Sequence, residues 1–166
     1  PAVFMLHDFE EIIMVQPWVR RNAPLLQKRF PKLAARFLPH LQKLSTPAFA
    51  LAVAEEFILL TLLTCLAVEF NLYALWAGIV LGFFIHLLVH VIQFGVYRSY
   101  IPAILTSVPA GLYCLAALYS LDARVNLIWP EVAAWTLAAL VVIAVNLMMA
   151  HGLAARFQRY LDEHSA

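Results

Sequence analysis

Charge is what this sequence has least of. Only 13% of its residues are Asp, Glu, Lys or Arg, about half the share found in a soluble domain. With 64% of the chain hydrophobic, lipid rather than water must solvate much of its surface. Lys and Arg are missing from every long apolar run. That excludes Schiff-base chemistry by a lysine inside a span, and it leaves acids in those runs without a basic neighbour. Cysteine is nearly absent as well. Cys65 and Cys114 stand singly in apolar runs without CxxC spacing, so they read as small packing residues, and no disulfide or redox compartment follows. The first fifteen residues lack the basic region and cleavage site of a signal peptide, and there is no repeat or low-complexity tract. A start at Pro1 without methionine raises the expectation that residues precede it.

What the chain does have is long apolar runs. Four of them, near Thr46–Val68, Leu72–Tyr97, Ile101–Leu121 and Trp129–Ala155, reach the roughly 20 residues that a helix needs to cross a bilayer. Their connections are short, so neighbours should pack antiparallel. Pro1–Gln16 reads as a fifth membrane helix, too short as it stands to cross completely. Threading the runs alternately puts ten of the eleven Lys and Arg on one side and leaves Arg124 opposite. The positive-inside rule makes the basic side the cytoplasm. The 18–44 segment carries seven of those basic residues, no acid, and Pro24, Pro31 and Pro39, yet keeps a regular supply of Leu and Phe. Short amphipathic helices lying on the cytoplasmic leaflet explain both features. A nucleic-acid surface is the poorer reading, because the basic positions already have a topological use. Gly78 and Gly82 suit close helix contact, and Pro109 should kink its helix.

Against this apolar background a few polar residues stand out. His7-Asp8-Phe9-Glu10-Glu11 lies in the first helix, Glu55-Glu56 in the second, His86 and His90 in the third, and Asn146 and His151 in the fifth. His7 meets Glu10 at i+3 and Glu11 at i+4, and His86 meets His90 at i+4, each on one helix face. Counted from the cytoplasmic ends, Glu55 and Asn146 are ten residues in, His90 and His86 eight and twelve, and His7 to Glu11 between eleven and seven. At 1.5 Å per residue all reach about 10–18 Å into the membrane. Each charge there costs about 2.5–3.5 kcal/mol, and divalent cations are the readiest compensation, since they take imidazole and carboxylate together. The arrangement is similar to di-iron carboxylate bundles, with the order His-x-x-Glu in place of Glu-x-x-His. His151 reads as an interhelical hydrogen-bonding group, and Asn146, Gln93 and Tyr97 as supports for ligands.

With the motif in view, the chain resembles the HXXEE-motif membrane proteins, a bacterial family of poorly defined function. The likeness rests on His7-x-x-Glu10-Glu11, the Trp and basic stretch after it, Glu55-Glu56 and His86-x-x-x-His90. It implies a bacterial inner-membrane protein with a metal centre, and no particular reaction. A weaker resemblance is to glutamate-type CAAX prenyl proteases, which join a Glu-Glu pair to membrane His and Asn; it implies a site of Glu55-Glu56 with His86, His90 and Asn146. Here, however, Phe57-Ile58-Leu59-Leu60 follows the pair without the Arg that family carries after it, and Phe83 precedes His86 by three residues instead of four.

The expectation is an all-α polytopic bundle of about five membrane helices over a single domain, 1–166, with the 18–44 segment and the C-terminus cytoplasmic. His7, Glu10, Glu11, Glu55, Glu56, His86 and His90 are the expected ligands of a divalent metal, two ions of iron or zinc. Glu11 and Glu56 are the candidates for catalysis. The expected function is a metal-dependent enzyme acting on a lipid or other lipophilic molecule, oxidative with iron and hydrolytic with zinc, with a slight lean to di-iron oxidation. A proton or metal carrier or sensor is the non-enzymatic alternative.

Overall fold

A computed structural model describes residues 1–164, apart from the side chain of His151. Six helices follow in order: α1 Ala2–Arg29, α2 Pro31–Lys43, α3 Thr46–Glu69, α4 Tyr73–Tyr97, α5 Ile104–Val125 and α6 Trp129–His164. No strand occurs among the described residues, so the chain is an all-α bundle. Four helices, α3 to α6, are long and apolar enough to cross a membrane. Their outward positions, such as Ile58, Leu62, Leu112, Tyr119, Val141 and Met148, are apolar and exposed, as lipid-facing positions should be. The fifth expected membrane helix is the front half of α1, whose Asp8, Glu10 and Glu11 lower its hydropathy.

Small residues set the helix contacts. Ala48 and Ala52 of α3 meet Ala150 and Ala154 of α6, and small side chains let helix backbones approach closely in lipid. At Gly78 of α4, an added Cβ would stand 2.7 Å from Trp135 Cβ and 2.9 Å from Thr136 N. Glycine is therefore required where α4 crosses α6. Gly82 has more room, with 4.0 Å to Ala139 Cβ. Cys114 is fully buried against Leu87 and Ala110, a packing residue as expected, whereas Cys65 is exposed. The α5 helix runs through Pro109 without ending.

The main departure from the sequence reading is α1, which does not stop at Gln16 but continues to Arg29 through Pro17 and Pro24. The two prolines are seven residues apart, almost two whole turns, so their missing N–H groups fall on one face. That face is exposed, and the opposite one carries the packing. Val19 and Ala23 bury against Ala34 and Leu38 of α2, and Gln16 Nε2 donates to the carbonyls of Leu41 and Leu44. Further bonds fasten the same half of α1 to the α4–α5 turn. Trp18 Nε1 donates to Tyr100 O at 2.7 Å, and Tyr97 Oη donates to Asn22 Oδ1 at 2.9 Å. Arg29 donates to Tyr97 O at 2.6 Å and Val96 O at 3.1 Å, satisfying carbonyls that the end of α4 leaves open. Tertiary packing thus overrides the breaking tendency of proline, and only α2 forms a separate short helix.

Candidate metal centre

The long α1 brings one face of its front half against α4 and the start of α5. His7 and Glu11, one turn apart on α1, face His86 and His90, one turn apart on α4. One ligand atom from each of these four residues lies within 4.8 Å of all the others. His90 Nε2 is 3.1 Å from His86 Nε2 and 3.1 Å from Glu11 Oε1. The His7 ring centre is 5.4 Å from that of His86 and 5.2 Å from that of His90. Metal–nitrogen bonds of 2.0–2.1 Å arranged as a tetrahedron have edges of about 3.3 Å, so the short contacts match the spacing that ligands take around one ion.

Hydrogen-bond accounting points the same way. A neutral imidazole carries one N–H, and each ring has two nitrogens to satisfy. His90 Nε2 meets both an imidazole nitrogen and a carboxylate oxygen, and one proton can serve only one of them. His7 is fully buried, and its Nε2 has no partner among the described atoms. Its Nδ1 is 3.1 Å from Thr106 Oγ1 on α5. A metal-bound histidine holds its second nitrogen in this way against a fixed acceptor. Phe83 lines the rings, edge-on to His7 at 5.7 Å and stacked on His86.

Of the seven residues expected as ligands, the structure gathers His7, Glu11, His86 and His90. The other three lie elsewhere. Glu10, about 100° round the helix from Glu11, turns to the start of α5. It accepts from Thr106 Oγ1 at 2.7 Å, Thr106 N at 2.9 Å, Leu105 N at 3.4 Å and Tyr100 Oη at 2.9 Å. Glu55 accepts from Asn146 Nδ2 at 2.8 Å, a bond between α3 and α6. Glu56 is outside the four-residue group and interacts electrostatically with Asp8. The site expected from the prenyl-protease likeness would unite the Glu55-Glu56 pair, Asn146, His86 and His90; Glu55 does meet Asn146, but the two histidines group with His7 and Glu11 of α1. The expected role of His151 falls on a side chain outside the described residues.

Three residues enter that the sequence did not single out. Asp8 is 5% exposed, and its Oδ2 has no hydrogen-bond partner among the described atoms. Its carboxyl interacts with both Glu11 and Glu56. The i+3 spacing from Asp8 to Glu11 was the available signal. Thr106 and Tyr100 had none, since nothing in the sequence tells which α5 face meets α1. Tyr100 lies in the turn outside the spans, where desolvation and then its bond to Glu10 push the phenol up to about 12, so it stays a donor at any physiological pH.

Residues 1–117 match the family described as "Protein of unknown function with HXXEE motif". No curated protein and no solved structure matches the chain.

Proposed function

The chain belongs to the HXXEE-motif family, and for it we propose a membrane-embedded, metal-dependent enzyme that acts on a lipid or other lipophilic molecule. One observation carries the proposal: three imidazoles and a carboxylate from two helices converge within 4.8 Å, in a chain whose long apolar runs contain no Lys or Arg. Structural packing alone gives no reason to aim four ligand atoms at one point where each costs desolvation.

The ligand set bears on the reaction. Four protein ligands fill the tetrahedron that zinc prefers, and a zinc hydrolase keeps one of its positions open. An iron ion with the same four ligands keeps further positions free for oxygen and substrate. The better-supported reading is therefore oxidation of an apolar substrate, with dioxygen as oxidant and an external electron donor. The metal would supply oxygen activation. His7, Glu11, His86 and His90 would hold it, and Asp8 and Glu56 would accept or return protons beside it. Access from lipid is supported by the exposure of the site: the Glu11 side chain is 18% exposed at the bundle surface. Placement in a bacterial inner membrane with the basic segment cytoplasmic belongs to the same proposal.

A second ion is favoured by one observation, the buried Asp8 carboxyl, whose Oδ2 has no hydrogen-bond partner among the described atoms and which interacts electrostatically with Glu11 and Glu56. Hydrolysis on zinc remains the second reading of the reaction, reached if one of the four ligands yields its place to water. Metal analysis of protein purified in detergent without added metal tests all of this. One or two irons per chain support oxidation, zinc moves the reading to hydrolysis, and no metal at full stability ends the enzyme proposal.

A further inference from the structure

The sequence motif contains two glutamates, and only Glu11 reaches the metal cluster. Glu10 is nonetheless the most heavily hydrogen-bonded carboxylate among the described residues. Two of its donors are the backbone N–H groups of Leu105 and Thr106 in the first turn of α5. The residue preceding that helix, Ala103, has no side chain able to cap it and sits in the left-handed region at φ 73°. Glu10 therefore caps α5 from another helix, where an anion is favoured by the exposed N–H groups and the helix dipole.

The third donor sets a direction. The Thr106 hydroxyl has one proton and two possible acceptors, Glu10 Oε2 at 2.7 Å and Ala103 O at 3.2 Å. The shorter bond to a charged acceptor is the stronger one. With the proton committed to Glu10, the hydroxyl oxygen can only accept from His7 Nδ1, 3.1 Å away. His7 must then carry its proton on Nδ1, which leaves the Nε2 lone pair free. That nitrogen is the buried atom without a partner.

We propose that Glu10 is a positioning residue for the metal centre, acting through Thr106 to hold His7 in the tautomer whose Nε2 can bind the ion. The proposal rests on the metal-centre reading for its purpose but not for its geometry. The relay from carboxylate through hydroxyl to imidazole corresponds to the carboxylate–histidine–metal arrangement of known sites, in which supporting partners change metal affinity about 10–100-fold when removed. Tyr100 completes the anchor by donating the fourth hydrogen bond to Glu10.

Thr106→Val deletes the hydroxyl but keeps both N–H groups that Glu10 caps, so it separates positioning from capping. Metal titration of the detergent-purified chain with iron(II) or zinc alone should show affinity about 10–100-fold weaker in Thr106→Val, and restored in Thr106→Ser. A purely structural Glu10 predicts unchanged affinity in Thr106→Val, and that result overturns the proposal. The second readout needs no metal and no variant that must fold: nitrogen-15 NMR of histidine-labelled, metal-free wild-type chain at about pH 8, where imidazole is neutral. The His7 signal should report a proton on Nδ1; a proton on Nε2 overturns the inference. If the wild-type chain binds no metal but His7 shows the Nδ1 proton, the metal reading fails while the relay stands.

Discussion

Replacing His90 by Ala should abolish the stabilisation that metal gives this chain at only a modest cost to the metal-free chain. His90 is the centre of the cluster, since its Nε2 is 3.1 Å from both His86 Nε2 and Glu11 Oε1. In the metal-free chain its Nδ1 is buried without a partner, so removal of that unsatisfied nitrogen offsets part of what is lost with the ring's packing and its contacts to His86 and Glu11. Free metal at 100 times its dissociation constant stabilises a protein by about 2.7 kcal/mol. At this chain length 1 kcal/mol corresponds to roughly 2–4 °C in Tm, so the metal should raise the wild-type Tm by about 5–11 °C. The assay is thermal unfolding in detergent followed by tryptophan fluorescence, with and without iron(II) or zinc. Wild-type should show the rise and His90→Ala should show none, with the two metal-free transitions within a few degrees. An equal rise in both proteins would mean that the ion binds elsewhere, and the cluster would lose its assigned role.

Other consequences follow from particular contacts. Gly78→Ala places a Cβ 2.7 Å from Trp135 Cβ and 2.9 Å from backbone, which should cost about 1–3 kcal/mol by overpacking. Gly95→Ala, with nothing within 4 Å, should be neutral or stabilising by up to about 1 kcal/mol; unfolding curves of the pair check the contrast. Asn146→Leu leaves Glu55 without its 2.8 Å donor and should cost about 1–3 kcal/mol, while the metal content per chain stays that of wild-type. Tyr100, its phenol pushed up to about 12, should ionise about two units later than the free side chain. Its contribution to stability is therefore complete below about pH 10, where the unfolded chain's tyrosine titrates, and is lost as pH rises through about 12. Tyrosinate absorbance of wild-type against Tyr100→Phe measures this.

Much of this architecture could be read from hydropathy alone, because lipid demands long apolar helices and tolerates little else. The four spans, their short connections and the i, i+4 pairs His7–Glu11 and His86–His90 were all visible in residue spacing. Facing was not visible. Counting residues from the helix ends puts Glu55 level with the histidines, yet it accepts from Asn146, and no periodicity separates those outcomes when nearly every neighbour is apolar. Glu10 and Glu11 posed the same difficulty: adjacent residues diverge by about 100°, and only the position of α5 decides which one reaches the histidines. The continuation of α1 through Pro17 and Pro24 was hidden because proline speaks locally for a break. The Val19 and Ala23 packing on α2, together with the Trp18 and Arg29 bonds to the α4–α5 turn, depends on residues far along the chain.

The central claim is that His7, Glu11, His86 and His90 share one bound ion, and X-ray absorption at the metal edge addresses it most directly. Protein isolated with its own metal should show a first shell of nitrogen and oxygen with the outer-shell scattering of about three imidazoles, as a three-histidine, one-carboxylate site requires. A shell without imidazole scattering, or the same spectrum from a chain carrying both His86→Ala and His90→Ala, would contradict it.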